Sequence, residues 1–441
     1  MIECTQTFFR GGNSGIQRVT RNVANQAMTM DHPKRTVMPI IWVGYGFVEV
    51  RDRLDGRAYW PIRYLIWIRR RFKGRSSSFS TWLRPFIQLM VRLIRTLKKL
   101  AAWFVPHLII LFAWPGRLAV RCMFGPYIEF RRGDTVLLID STWGLTGMLD
   151  ALHEAQRKDG IKVAPMLHDL FPLTLPETCQ EITTKYYSQW FHEVVPRADF
   201  FITNSRSTGM SLERYLEQHS EIRSLPVLHE SFRLGAELDL LDVGVNNSEE
   251  YSPIWGAPGR AILAVGTIEP RKNYGFLLDA YEILRSRGVN VSLILIGRVG
   301  WKSEAIMHRI MGHADLHSRL LHFGDANDRL LAEAIERADC VVCASIAEGF
   351  GLPVVEGLMR GKEVFASDIE VFREIAEDRC RFFDLADPND LALKIQSWFE
   401  ELDRTKQVIT PEAFRWPNWK ESSEELIEKT LLLLRRQRES S

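Results

Sequence analysis

The feature that most constrains this chain is an alternation of strand-like and helix-like segments that runs, stops and then starts again. From Asp134 onward the short apolar runs TVLLID, KVAPMLHD and ADFFITNS are separated by amphipathic stretches such as TGMLDALHEAQRKDG and TGMSLERYLEQ. Apolar runs of strand length between stretches of helical period imply parallel strands covered by helices on both faces. After an irregular, acidic stretch from Glu237 to Pro258, read as a linker, the alternation restarts. It then continues through RAILAVGTIEP, GFLLDAYEILRSRG, VSLILIGRVG, EAIMHRIMGH, RLLHFGD, NDRLLAEAIERA, DCVVCASIAE and GLPVVEGLMRG. The second run has the size of a Rossmann-like half-molecule. The fold class expected is therefore α/β, with two doubly wound domains in a chain of 441 residues, too long for one ordinary core. The first domain is placed at 1–245 and the second at 246–415. Residues 416–441 form a C-terminal helix, with Asn418 placed to cap it, Arg435 and Arg436 suited to its C-terminal dipole, and a path back to the first domain open to it.

One stretch fits neither domain. Residues 57–132 hold 16 Lys or Arg against the single acid Glu129, so they carry +15 in a chain whose formal net charge is +2, and the remainder carries −13. Within it RPFIQLMVRLIRTLKKLAAWFV places Phe86, Met90, Leu93, Leu97, Leu100 and Phe104 at helical spacing, with Arg84, Arg92, Arg95, Lys98 and Lys99 among them. Such a segment suits an anionic membrane surface, with its apolar face in the interface and its basic residues at the headgroups. The charge-free run 100–116 is short for a span and is interrupted by Pro106 and Pro115-Gly116. Interfacial, re-entrant and packed-core readings all remain open for it. Nucleic acid is the less suitable anion, because the apolar stripe lies where a groove wants polar contacts.

The six cysteines are scattered, and no apolar core with a cleavage site opens the chain, so a reducing, cytoplasmic setting is expected. Cys340 and Cys343 lie inside an apolar run that reads as a buried strand, and core packing is the expectation for them.

Ligands of parallel α/β sheets bind at the carboxyl ends of strands, and four such loops stand out. RGGNSGIQR (Arg10 to Arg18) contains Gly12 and opens a helix, which favours an anion, although a glycine-rich loop is equally a plain turn. HDLFPLTLPE offers His168 as a hydrogen-bond or proton-shifting group, with Asp169 to orient it. GTIEPRKN sets Arg271 and Lys272 after a turn, with Gly266 open to close approach, which makes a site for a diphosphate. EGFGLPVVEG sets Glu348 and Glu356 around a turn whose residues Gly349, Phe350, Gly351 and Leu352 offer free backbone amides. Carboxylates beside free amides suit a polyhydroxylated ligand attached to a phosphate.

These motifs resemble the retaining glycosyltransferases of family 4, which have the GT-B fold of two facing Rossmann-like domains. GTIEPRKN, IGRVGW, HFGDANDRLLAEAIERADCVVCASIAEGFGLPVVEGL and WPNWKESSEEL carry the resemblance, which covers nearly the whole chain outside 57–132. SGIQRV and LHDLFPLTLPE look like a subgroup found in bacterial polysaccharide and O-antigen assembly that includes mannosyltransferases. By that resemblance Arg271 and Lys272 hold the diphosphate, Glu356 the ribose hydroxyls and Glu348 the donor sugar. His168 lies at the sugar from the opposite domain, and Gly12 approaches the diphosphate.

The sequence holds no D-x-D triplet, so Arg271 and Lys272 are expected to do the electrostatic work of a divalent cation, with neither metal nor cofactor. The function expected is metal-independent, retaining transfer of a sugar from a nucleoside diphosphate, GDP-mannose by preference, to a lipid-linked glycan. The enzyme is expected at the inner face of the cell membrane as a peripheral protein, open to other glycan-assembly partners. A sugar-nucleotide epimerase of the same architecture and a non-catalytic assembly partner are the rival readings.

Overall fold

The computed structural model describes residues 1–12, 14–30, 36–59, 121–224, 226–238, 256–324, 326–405 and 414–439. They group into two compact units, Met1–Lys162 and Val163–Ser441. The boundary expected near residue 245 lies outside the described residues. So do Arg84, Arg92, Arg95, Lys98 and Lys99 of the expected basic insert.

In the first unit the strands are β1 (Ile2–Glu3), β2 (Pro39–Trp42), β3 (Phe47–Glu49) and β4 (Thr135–Leu138), in the order β3-β2-β1-β4. β1 is parallel to both neighbours, with Ile2 opposite Pro39 on one side and Leu137 on the other, and β3 closes the edge as an antiparallel hairpin. Ile2, Ile40, Ile41, Val136 and Leu138 are all buried. A strand covered on both faces has no solvent side to alternate toward, which is why these runs read as continuously apolar. The helix Gly15–Ala27 starts at a capping box: Gln17 N donates to Ser14 Oγ, and Ser14 N donates to Gln17 Oε1 at 3.1 Å.

The flanks of residues 60–120 meet. The ring of Tyr59 lies 5.2 Å from Phe8 and 5.4 Å from Phe124, and Phe124 lies 6.0 Å from Phe9. The described residues on either side of 60–120 therefore share one aromatic cluster.

In the second unit β5 (Lys162–Leu167, beginning at the last residue of the first unit), β6 (Phe201–Thr203) and β7 (His229–Ser231) lie parallel in the order β5-β6-β7. The remaining strands are β8 (Arg260–Val265), β9 (Val291–Ile296), β10 (Leu320–Phe323), β11 (Cys340–Cys343), β12 (Glu363–Ser367) and β13 (Arg381–Phe383). They form a fully parallel sheet in the order β10-β9-β8-β11-β12-β13. Tyr281, Leu278, Leu293, Leu295, Phe365 and Trp398 fill one face of its core, beneath the helices Tyr274–Ser286 and Pro388–Thr405. The α/β expectation is thus met by parallel strands in each unit.

The strand order fixes where a ligand can sit. The chain runs outward from β8 through β9 to β10, then returns to the other side of β8 to lay down β11. The carboxyl ends of β8 and β11 consequently flank the switch point, where the connecting loops part and leave a crevice. The helix Trp419–Glu439 is capped by Asn418, whose Oδ1 accepts from Glu421 N at 2.8 Å, and it runs along β7, where Glu230 accepts from Lys429 at 2.9 Å and Arg436 at 2.7 Å. Among the described residues no helix is long and apolar enough to cross a membrane.

Candidate active site at the switch point of the larger unit

β8 is followed by Gly266, whose φ of +148° disfavours a side chain, and a Cβ there would lie 3.2 Å from Cε of Lys272. Glycine leaves room for the lysine stem. The Gly266 carbonyl accepts from Tyr274 OH at 2.6 Å. A single 3-10 turn, Pro270–Lys272, follows, and Asn273 takes a left-handed conformation (φ 54°), tolerated by asparagine, before the helix Tyr274–Ser286 begins. The Arg271 carbonyl accepts from Ile346 N at 2.9 Å, so the loops after β8 and β11 are tied together.

These loops build a buried ion cluster. Arg271 Nη1 donates to Glu348 Oε2 and to the Ala347 carbonyl, both at 2.7 Å, and Nη2 donates to Glu269 Oε1 at 2.7 Å. Its guanidinium lies over the ring of Phe171, 4.9 Å from the centroid. Lys272 Nζ pairs with Glu348 Oε1, which also accepts from Ser345 Oγ at 2.8 Å. The cations expected to hold a diphosphate and the glutamate expected at the sugar are here partners of one another.

Burial works against ionisation of Glu348, but Arg271 and Lys272 outweigh it and hold the carboxyl at about 2. Glu348 is therefore an ionised acceptor rather than a proton donor near neutral pH. Burial pushes Glu269 up, with Arg271 and Lys272 opposing, and pushes Asp169 up, with Arg271 opposing. Asp169 Oδ1 accepts from Phe171 N at 3.3 Å, and its carbonyl accepts from Tyr187 OH at 2.6 Å.

Gly349 follows Glu348 and packs against the backbone of His168; a Cβ there would sit 1.9 Å from the His168 carbonyl oxygen. No other residue fits. Phe350 is buried with its ring 5.9 Å from that of Trp416, and Leu352 opens the helix Leu352–Met359 beside Gly351. Glu356, 1% exposed, lies about one turn along that helix. Burial pushes the Cys343 thiol at the end of β11 up to about 12, with Glu348 and Glu356 adding to the effect and Lys272 opposing it. Both glutamates thus act at the same strand end, and Cys340 and Cys343 are buried core thiols.

His168, Asp169, Gly266, Arg271, Lys272, Glu348 and Gly349 are accordingly brought together within Val163–Ser441. Gly12 belongs to the first unit, where its N–H donates to Gly56 O at 2.7 Å and its carbonyl accepts from Arg21 Nη1 at 3.0 Å. At that unit's own switch point, between β1 and β4, Asp140 accepts from Thr7 N at 2.6 Å and Ser141 N at 2.8 Å, and burial pushes both Asp140 and the neighbouring Glu3 up. Sequence reasoning missed this acid pair. It also missed Glu269, although the spacing Glu269-x-Arg271 after a strand was a usable signal.

Residues 248–413 match the family described as glycosyl transferases group 1. The match spans 166 of the 441 residues. The ion cluster and both glutamates lie inside it. A serotype-specific mannosyltransferase, WbdA, of Escherichia coli is 28% identical over 304 residues, covering 68% of this chain and 37% of that protein. The O-antigen chain mannosyltransferase B of Escherichia coli is 26% identical over 263 residues, covering 57% of this chain and 66% of that protein. This chain thus spans little more than a third of the length of its WbdA relatives. Among solved structures, Anabaena HepE in complex with UDP-glucose is 15% identical, with 74% of this chain and 88% of that chain covered and a TM-score of 0.47.

Proposed function

We propose that the chain is a retaining glycosyltransferase that moves a sugar from a nucleoside diphosphate to a lipid-linked glycan acceptor during assembly of a surface polysaccharide. The observation that carries this reading is the pair of cations at the β8 and β11 switch point, held within the transferase domain by carboxylates that an incoming diphosphate can exchange for. Mannose is the sugar and GDP the carrier in this reading, and the mannosyltransferases among the relatives support the sugar.

Arg271 and Lys272 take the diphosphate and stabilise the charge that develops on it as the bond to the sugar C1 breaks. Glu348 accepts from hydroxyls of the donor sugar and Glu356 from the ribose, while the amides of Phe350, Gly351 and Leu352 complete the anion site. His168 meets the sugar, with Asp169 behind it. No carboxylate stands as a covalent nucleophile in this scheme. The acceptor oxygen forms its bond to C1 on the face from which the phosphate departs, and its proton passes to the departing phosphate oxygen. Residues 57–132 hold the enzyme at the anionic inner face of the membrane, where the lipid-linked acceptor lies.

The reading is tested by offering a panel of labelled nucleotide sugars with a lipid-linked acceptor pool in the presence of chelator. We expect transfer from GDP-mannose that survives chelation. Conversion of the nucleotide sugar without an acceptor would favour an epimerase, and inertness toward the whole panel would favour a non-catalytic role.

A further inference from the structure

The Gly349 carbonyl is gripped by two hydroxyls from a distant part of the same unit. Ser205 Oγ lies 2.7 Å from it and Thr208 Oγ1 3.2 Å. A serine hydroxyl has one proton to give, and of the two acceptors in reach, Gly349 O at 2.7 Å and Thr208 Oγ1 at 3.0 Å, the carbonyl is the nearer and can only accept, so it takes the proton while Ser205 Oγ accepts from Thr208 N at 3.0 Å. The single Thr208 hydroxyl proton is shared between Gly349 O at 3.2 Å and Asn204 Oδ1 at 3.0 Å, and Asn204 Nδ2 donates to the His168 carbonyl at 2.9 Å. Asn204, Ser205 and Thr208 are all buried.

The helix that begins here, Arg206–Gln218, is fixed from the transferase domain. Arg206 N and Ser207 N donate to the two carboxylate oxygens of Glu374, both at 2.8 Å, and Arg214 pairs with Glu370 at 2.7 Å. A trans peptide points its C=O and its following N–H in opposite directions. Holding Gly349 O toward Ser205 therefore turns the Phe350 N–H away from this helix. The substitution-proof contact of Gly349 with His168 closes the same side.

We infer that Ser205 and Thr208 are positioning residues for the donor: their hydroxyls clamp the Gly349–Phe350 peptide so that the Phe350 amide faces the diphosphate. This inference rests on the glycosyltransferase reading for its ligand, but the clamp itself can be measured without one. GDP and UDP are titrated against the wild type, Ser205→Ala/Thr208→Val and Ser205→Thr, and amide hydrogen exchange over 346–352 is followed in the same proteins without nucleotide. The double variant is expected to bind about tenfold more weakly and to exchange faster over 346–352, with β9 unchanged, whereas Ser205→Thr keeps its hydroxyl and stays within about twofold of wild type.

Wild-type nucleotide affinity in the double variant overturns the inference, as does lost affinity with unchanged exchange. If the wild type binds neither nucleotide, the glycosyltransferase reading fails, and exchange alone decides the clamp: faster supports it, unchanged overturns it. Should the double variant not fold, Thr208→Val, which keeps the backbone N–H that the Ser205 cap requires, is read by the same two measurements.

Discussion

Both oxygens of Glu348 are engaged, one by Arg271 and the other by Lys272 and Ser345, in a site where its side chain is 9% exposed. Its folded pKa of about 2 lies below the ordinary 4.5, so its contribution to stability is present above the unfolded value and is lost as pH falls from about 4.5 toward 2. At neutral pH that contribution is on the order of 3 kcal/mol. Glu269 and Asp169 are raised instead, so their contribution is full at low pH and fades as pH rises through their folded values. The cluster therefore carries opposing slopes, and removing Glu348 removes only one. Glu348→Gln should lower the melting temperature clearly at about pH 7, with the gap to wild type closing below about pH 4. A gap that stays constant across that range would show that the ion pairs do not hold Glu348 ionised.

The loops after β8 and β11 do their work as elements because each joins a strand buried on both faces to a helix. Strands of this sheet were legible in the sequence for the same reason: VSLILI of β9 and CVVC of β11 have no solvent face and so no polar alternation. β12 and β13 were not, since EVFAS opens on an acid and RFF is only three residues long. Gly266, Arg271, Lys272 and Glu348 were legible as a set of loop residues, whereas their pairing depends on β11 returning beside β8, which no local pattern encodes. The Ser205 contact with Gly349 spans 144 residues and left no local trace. The basic stretch 57–132 is the converse case, written plainly in the sequence, and its described ends meet at Tyr59 and Phe124. Wild-type protein should sediment with anionic liposomes, and changing Arg92, Arg95, Lys98 and Lys99 together to Glu should weaken this while transfer to a short detergent-dispersed acceptor persists. Indifference of the wild type to anionic liposomes would remove the membrane assignment.

Across the whole molecule, the larger unit holds the residues expected at the donor except Gly12, from His168 on the β5 side to Glu356 in the segment that matches group 1 glycosyl transferases. The helix Trp419–Glu439 and the Glu374 cap on helix Arg206–Gln218 bind these segments into one unit. In the proposed reaction two fixed cations, rather than any proton donor among the carboxylates, drive departure of the diphosphate. The most direct test is the rate of sugar transfer from GDP-mannose to the lipid-linked acceptor by Arg271→Ala and Lys272→Ala, each compared with wild type under saturating donor. Each substitution is expected to lower turnover by about 10²–10³-fold, because charge stabilisation in the transition state is lost. Near-wild-type turnover in both variants would contradict it.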